Sequence, residues 1–184
     1  MNGSGTSESE FIAQLSNPET RDEAFRKFFK LYSKRLYANV KRLVANADDA
    51  NDIMQDTFMK AYQNISNFRG ESSMLTWLYR IATNETLNFL DKQSREPSMV
   101  TSQGEVSGVE NVQADEYFDE EELRVRLENA IASLPAKQRI VFNMKYYDNM
   151  KYEEMSEILE TSVGALKASY HHAVKKLRSM LKDN

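Results

Sequence analysis

The sequence predicts an all-α protein: two small helical domains joined by a flexible linker, the C-terminal one a helix-turn-helix. Three observations carry that prediction. Apolar residues recur at helical spacing through most of the chain, and no alternating run reads as a strand. Glycine and proline are scarce, six and three in 184 residues, while Leu, Ala, Glu, Lys and Met are common, a composition that favours helix. From Glu96 to about Ala114 the periodicity lapses and Pro, Ser, Gly, Thr, Gln and Glu take over, as in a tether that cannot bury a core. The predicted divisions are a tail at 1–10, an N-terminal domain at 11–95, an acidic linker at 96–118 and a C-terminal domain at 119–184.

Asn17-Pro18 reads as a helix start, Asn as cap and Pro in the first turn. Phe25, Phe28, Phe29, Tyr32, Leu36, Val40 and Leu43 then give one apolar face of a long helix. Asn46 to Asp49 supplies caps for a second helix, marked by Ala50, Ile53, Met54, Thr57, Phe58, Ala61 and Tyr62. The stretch from Phe68 to Ser73 breaks it, with Gly70 as the turn residue, and a third helix follows from Met74 to about Lys92. Short connections make this a three- or four-helix unit. Helical pattern resumes near Asp119, restarts at Leu134-Pro135, and carries Ile140, Val141, Phe142, Met144 and Tyr147. Last come a short amphipathic helix, Tyr152 to Leu159, the turn Glu160-Thr161-Ser162, and a longer helix from Val163 to Leu177. Such a pair holds its second helix at an angle that suits a DNA major groove.

Composition excludes several function classes. Without cysteine there is no disulfide, thiolate nucleophile or Cys-based zinc site. No apolar run approaches the roughly 18–20 residues that span a bilayer. The start, Met1 to Glu10, is Gly/Ser-rich and acidic, unlike a signal peptide, so the expectation is a soluble cytoplasmic protein. A net charge of −4 looks adverse for a DNA binder, but nine acids and no Lys or Arg fall between Glu96 and Glu122. With those nine set aside the remainder carries +5, and phosphate binding responds to local charge.

Three surfaces are candidates for function. Asp49, Asp52 and Asp56, with Gln55 alongside, form an acidic stripe on the second helix. The stripe either complements the helix dipole or docks a basic partner surface; exposed acids with no apolar neighbour suit paired-carboxylate catalysis poorly. On the third helix Trp77, Arg80, Asn84 and Asn88 share one face, with Phe68 and Arg69 in the loop before it. Aromatics that stack on unpaired bases, beside Arg and Asn that reach edges or phosphates, suit single-stranded nucleic acid; the plainer reading is a partly buried core Trp with solvated neighbours. In the helix-turn-helix, Met155, Ile158, Leu159, Val163, Leu166, Tyr170, Ala173 and Leu177 form the interior, and Ser162 is the expected N-cap. Gly164, Ala165, Lys167, Ala168, Ser169, His171, His172, Lys175 and Lys176 are left for the outer surface, small residues allowing close approach and cations meeting phosphate. Adjacent His171 and His172 diverge on a helix, so no metal site is predicted, and no cofactor. A structural helical hairpin is the bland alternative.

These residues resemble the extracytoplasmic-function (ECF) sigma factors of bacterial RNA polymerase, within the sigma-70 family. Two stretches carry the resemblance. One runs from Asp49 to Tyr62 and on through Phe68-Arg-Gly-Glu-Ser and Thr76-Trp-Leu-Tyr-Arg-Ile-Ala-Thr-Asn84; the other runs from Leu134-Pro135 to Leu177. The resemblance implies that Asp49, Asp52, Gln55, Asp56 and Phe58 dock on the coiled coil of the polymerase β′ subunit. It implies that the loop from Asn67 to Ser73, with Phe68, Arg69, Ser72 and Ser73, captures a flipped base of the minus-ten element. Thr76, Trp77, Arg80, Asn84 and Asn88 would help melt and read that element, and the turn and second helix of the C-terminal pair, from Ser162 to Lys176, would read the minus-thirty-five duplex. The implied partners are core polymerase through β′ and β, promoter DNA and an anti-sigma factor, and the implied role is a promoter-specificity subunit rather than an enzyme. Ser169, His172 and Val174 stand where many relatives carry Arg or Lys, and Glu160 replaces the usual turn glycine. The competing functions are a stand-alone helix-turn-helix regulator of duplex operators and, more distantly, a module that sequesters a partner. A duplex-only regulator has no use for the Trp77, Arg80 and Asn84 face. The acidic linker is also a candidate shield for the basic DNA faces when polymerase is absent.

Overall fold

The computed structural model describes residues 8–44, 46–95 and 120–182; the linker at 96–118 lies outside them. Eight α-helices and no strand occur among the described residues: α1 (Glu8–Ser16), α2 (Arg21–Lys41), α3 (Ala47–Asn64), α4 (Met74–Arg95), α5 (Glu120–Ala132), α6 (Ala136–Tyr146), α7 (Tyr152–Leu159) and α8 (Val163–Lys182). A single 3-10 turn, Ile65–Asn67, follows α3.

Helix α1 was not expected. It reaches back into the stretch assigned to the tail and packs Leu15 fully into the core, with Phe11 and Ile12 against it. Three bulky apolar residues in nine are too few to declare a period; only the surface they meet makes them a helix. Asn17-Pro18 accordingly does not start α2. The Asn17 side chain accepts from the Glu19 N–H at 3.0 Å and its carbonyl from Arg21 N–H at 2.8 Å, closing a turn between α1 and α2. Arg21 donates back to the Leu15 carbonyl at 3.3 Å, satisfying an end of α1 that would otherwise be bare. The other starts follow the residues more closely. Asn46 caps α3, accepting from Asp49 N–H at 2.7 Å, and Ser162 caps α8, accepting from Ala165 N–H at 3.3 Å.

The N-terminal domain packs α2, α3 and α4 around Phe28, Leu36, Val40, Ala50, Ile53, Ala61, Leu78 and Ala82. Phe25, Phe28, Phe29 and Phe58 interlock with ring centroids 4.6–6.3 Å apart, two pairs tilted and two edge-on, the latter an arrangement that aromatic quadrupoles favour. Buried threonines return their hydroxyls to their own helix: Thr57 donates to the Ile53 carbonyl at 2.7 Å and Thr86 to the Ala82 carbonyl at 2.8 Å. In the C-terminal domain α5, α6 and α8 bury Ile131, Leu134, Phe142, Ala173 and Leu177, with Phe142 stacked on Tyr170 at 5.9 Å.

The two domains share a core. Ile140, Met144, Met150, Met155, Ile158 and Leu166 belong to the same buried cluster as Leu78 and Tyr79, and α7 lies directly on α4. A polar seam runs beside this contact. The Asp148 carboxylate, in the connection between α6 and α7, accepts from Asn39 Nδ2 at 2.6 Å, Arg42 Nη1 at 3.2 Å and the Tyr79 hydroxyl at 3.4 Å. Two independent domains on a tether would not need such a seam.

Candidate nucleic-acid interface

The first predicted surface begins at the N-terminus of α3. Asn46 and Asp49 hold each other: the Asp49 N–H bonds the Asn46 side chain, and Asn46 Nδ2 donates to Asp49 Oδ2 at 2.9 Å. Asp49 is therefore occupied in the cap, the role that the helix dipole alone would assign it. Asp52, Gln55 and Asp56 are exposed one and two turns on. Gln55 and Phe58 line an open groove of about 600 Å³ between α2 and α3, with Phe29, Tyr37 and Met54. Phe58 itself is 6% exposed, so it supports the groove floor more than it offers a free ring. Phe29 and Met59, at 47% and 48%, are the apolar groups left open beside the acids. Sequence reasoning placed Phe29 on the buried stripe. Phe28 takes the core position of that pair, and no signal within α2 itself marks Phe29 as the one left open.

The second surface lies between the end of α3 and the start of α4. Gly70 has φ +72°, the left-handed conformation that turns the chain there; a Cβ would meet only Ile12 Cδ1 at 4.0 Å, so backbone shape rather than crowding asks for glycine. Ser73 caps α4, accepting from Thr76 N–H at 3.0 Å and lying 2.8 Å from the Thr76 hydroxyl. Thr76 is buried by that arrangement. Arg69 is exposed and Ser72 half-buried. Phe68 and Trp77 rings sit 5.3 Å apart, both partly exposed. Trp77 and Asn84 line a polar hollow of about 380 Å³ with Asn67, Lys60 and Glu85, the last two paired at 2.6 Å. Asn88 is exposed one turn further along α4. Arg80 stands apart from this group. Its Nη2 donates to the Glu157 carbonyl at 2.7 Å and its Nη1 lies 4.0 Å from Glu160 Oε1, so it is turned toward α7. Lys60, Asn64 and Glu85 were missed because their helix positions show no aromatic or basic cluster; only the approach of α3 to α4 assembles them.

The third surface is α8. Gly164, Ala165, Lys167, Ala168, His171, His172 and Lys175 are exposed and Ser169 is half-buried. A Cβ on Gly164 would meet nothing within 4 Å, so packing does not demand that glycine. Lys167 Nζ lies 5.7 Å from the Tyr152 ring centroid, and Lys145 Nζ 5.0 Å from it. Lys176 points back, donating to the Ser133 carbonyl at 3.4 Å. The turn before α8 is sharp because Glu160 adopts φ 50°, ψ 39°, a left-handed conformation held by a non-glycine residue. Among the described residues no cluster of His, Asp and Glu could hold a metal ion, and no helix is long and apolar enough to cross a membrane.

Comparison with known proteins gives the family of the chain. Sigma-70 region 2 matches residues 28–96, and Sigma-70, region 4 matches residues 124–177. The chain is 33% identical over 172 residues to the ECF RNA polymerase sigma factor SigW of Bacillus subtilis, covering 88% of this chain and 90% of the relative. It is 32% identical over 161 residues to the ECF RNA polymerase sigma-E factor of Escherichia coli K12, covering 82% and 83%. Among solved structures, the sigma factor RpoE in complex with the anti-sigma factor NepR from Bartonella quintana superposes with a TM-score of 0.65 at 26% identity, covering 86% of this chain and 96% of that one. CnrH in complex with the cytosolic domain of CnrY shares the fold, with a TM-score of 0.70 at 19% identity over 97% and 99% of the two chains. The chain belongs to the ECF sigma factors of the sigma-70 family and is an RNA polymerase sigma factor.

Proposed function

We propose that this sigma factor works without catalytic chemistry of its own, in the cytoplasm, as the promoter-reading subunit of core polymerase. Asp52, Gln55 and Asp56, with the open apolar edge at Phe29 and Met59, dock the β′ coiled coil; Asp49 and Phe58 shape that surface as cap and floor. The hollow at Trp77 and Asn84 takes an unpaired minus-ten base, with Phe68 and Trp77 to stack and Asn67, Asn84 and Asn88 to meet polar edges. Ser73 and Thr76 hold the start of α4 in place, and Arg69 and Arg80 supply charge to the strand. The exposed start of α8, from Gly164 to Ala168, enters the major groove at the minus-thirty-five element, while His171, His172 and Lys175 follow the backbone. An anti-sigma factor is the expected inhibitor, as NepR is named for the Bartonella quintana relative.

The observation that carries the reading is one chain holding both a hollow lined by Trp77, Asn67 and Asn84 and a helix-turn-helix whose second helix begins with exposed residues. Run-off transcription with core polymerase on genomic fragments tests it. Initiation that core alone does not give is the expected result; identical transcripts with and without the protein would overturn it.

A further inference from the structure

The hollow between α3 and α4 carries charge that none of the roles above uses. Glu85 lines it beside Asn84, and the Glu85 side chain is only 13% exposed. A carboxylate there is at first sight out of place, because it gives up hydration and repels the phosphates of an incoming strand. Lys60, on α3, answers both objections. Its Nζ donates to Glu85 Oε2 at 2.6 Å, a charge-assisted bond that leaves the pair neutral and fixes the carboxylate in one orientation. Among the described residues nothing hydrogen-bonds Glu85 Oε1. The hollow therefore holds one oriented acceptor with its second oxygen unused.

The other groups around it tell bases apart poorly. Trp77 and Phe68 offer ring faces, and every base has a face to stack on them. Asn67 and Asn84 carry both a donor and an acceptor and turn to suit whichever edge is presented. A carboxylate only accepts. Adenine, cytosine and guanine each bring an exocyclic amine to such an acceptor. Thymine has none. Its single edge N–H lies between two carbonyl oxygens, so a carboxylate that accepts from it must face both of them. The fixed charge discriminates where the adaptable amides do not.

We propose that Glu85, oriented by Lys60, is a specificity determinant of this hollow, admitting an unpaired minus-ten base that carries an exocyclic amine and rejecting thymine. This selection rests on the promoter-reading function above. Glu85 meets the base edge, and Lys60 is a positioning residue that holds the carboxylate still and cancels its charge. If the pair merely braced α3 against α4, its loss would weaken the capture of all four bases alike.

The test uses core polymerase assembled with the full chain. The probes are fluorescein-labelled single strands of the non-template minus-ten element of a promoter found by run-off, each position carrying each of the four bases in turn. At one position wild type is expected to bind thymine about tenfold more weakly than the other three bases. Glu85→Gln keeps the shape and adds a donor, so it should bring thymine there to within about threefold of the others and leave the remaining positions unchanged. Lys60→Met, which leaves the carboxylate unanchored, should also narrow the gap, and Lys60→Arg should keep it. With cytosine at that position, replacement by 2-pyrimidinone, which lacks only the amine, should weaken wild-type binding about tenfold. Thymine bound as well as the other bases at every position, or a gap that survives Glu85→Gln, overturns the assignment. So does a uniform loss for all four bases in Glu85→Gln. The 2-pyrimidinone strand needs only wild type, so equal binding of it and cytosine overturns the assignment even if the variants fail to fold. Absence of run-off by wild type would instead overturn the promoter-reading function on which the selection rests.

Discussion

Glu160→Gly should stabilise this protein although it removes an ion pair. Glu160 closes α7 with φ 50° and ψ 39°, where the Cβ of an L residue crowds the following carbonyl and costs about 1–2 kcal/mol. Glycine relieves that strain but loses about 0.4–1 kcal/mol more backbone entropy on folding. The ion pair given up is weak: Arg80 Nη1 and Glu160 Oε1 are 4.0 Å apart with the glutamate side chain 78% exposed, a geometry that contributes about 0–0.5 kcal/mol. The balance favours the variant by about 0.5–1 kcal/mol, which at this chain length raises the melting temperature by about 1–4 °C. Thermal and urea unfolding followed by circular dichroism would read it, with Glu160→Ala as the companion variant. Alanine loses the ion pair and keeps the strain, so it should be neutral or slightly destabilising. If glycine and alanine behave alike, or glycine lowers the midpoint, the strain assigned to this turn is absent and the reasoning fails.

Three other outcomes are expected. Asp52→Arg should abolish co-purification with core polymerase while helicity stays intact; undiminished co-purification removes Asp52 from the docking surface. Asn84→Ala should flatten the preference among altered minus-ten sequences in run-off assays, and a wild-type ranking would exclude Asn84 from reading that element. Tyr79 is pushed up to about 12, first by burial and then by the Asp148 carboxylate. Because the folded state holds this proton more tightly than the unfolded one, its contribution is whole below pH 10 and is lost as pH rises from 10 toward 12. Wild type should therefore lose up to about 2 kcal/mol more than Tyr79→Phe across that range in urea unfolding, and parallel curves would refute it.

Legibility followed the range of the forces involved. The stripe from Phe28 to Val40, the α3 stripe from Ala50 to Ala61 and the helix-turn-helix interior were readable because each repeats within its own helix, and a helix face needs no knowledge of its partner. Caps at Asn46 and Ser162 were readable for the same reason, since cap and amide lie three residues apart. Helix α1 was not, because Phe11, Ile12 and Leu15 become a face only against the surface they cover. Within the candidate surfaces, residue type and helical face placed Trp77, Asn84, Lys167 and the acids of α3. They could not show that Ser73 and Thr76 serve as a cap, that Lys176 turns back to Ser133, or that Arg80 is taken by α7.

The sequence by itself determined the helical class, two motifs in order and hence the family, because periodicity, capping and motif spacing are local properties of the chain. Only the tertiary structure decided how the two helical domains meet. The polar seam joins Asp148 to Asn39, Arg42 and Tyr79, between 69 and 109 residues away, and no spacing rule connects them. A solvated carboxylate and a buried one are the same letter in the sequence. What distinguishes Asp148 is desolvation matched by three donors from another domain, and that exists only once the chain has folded.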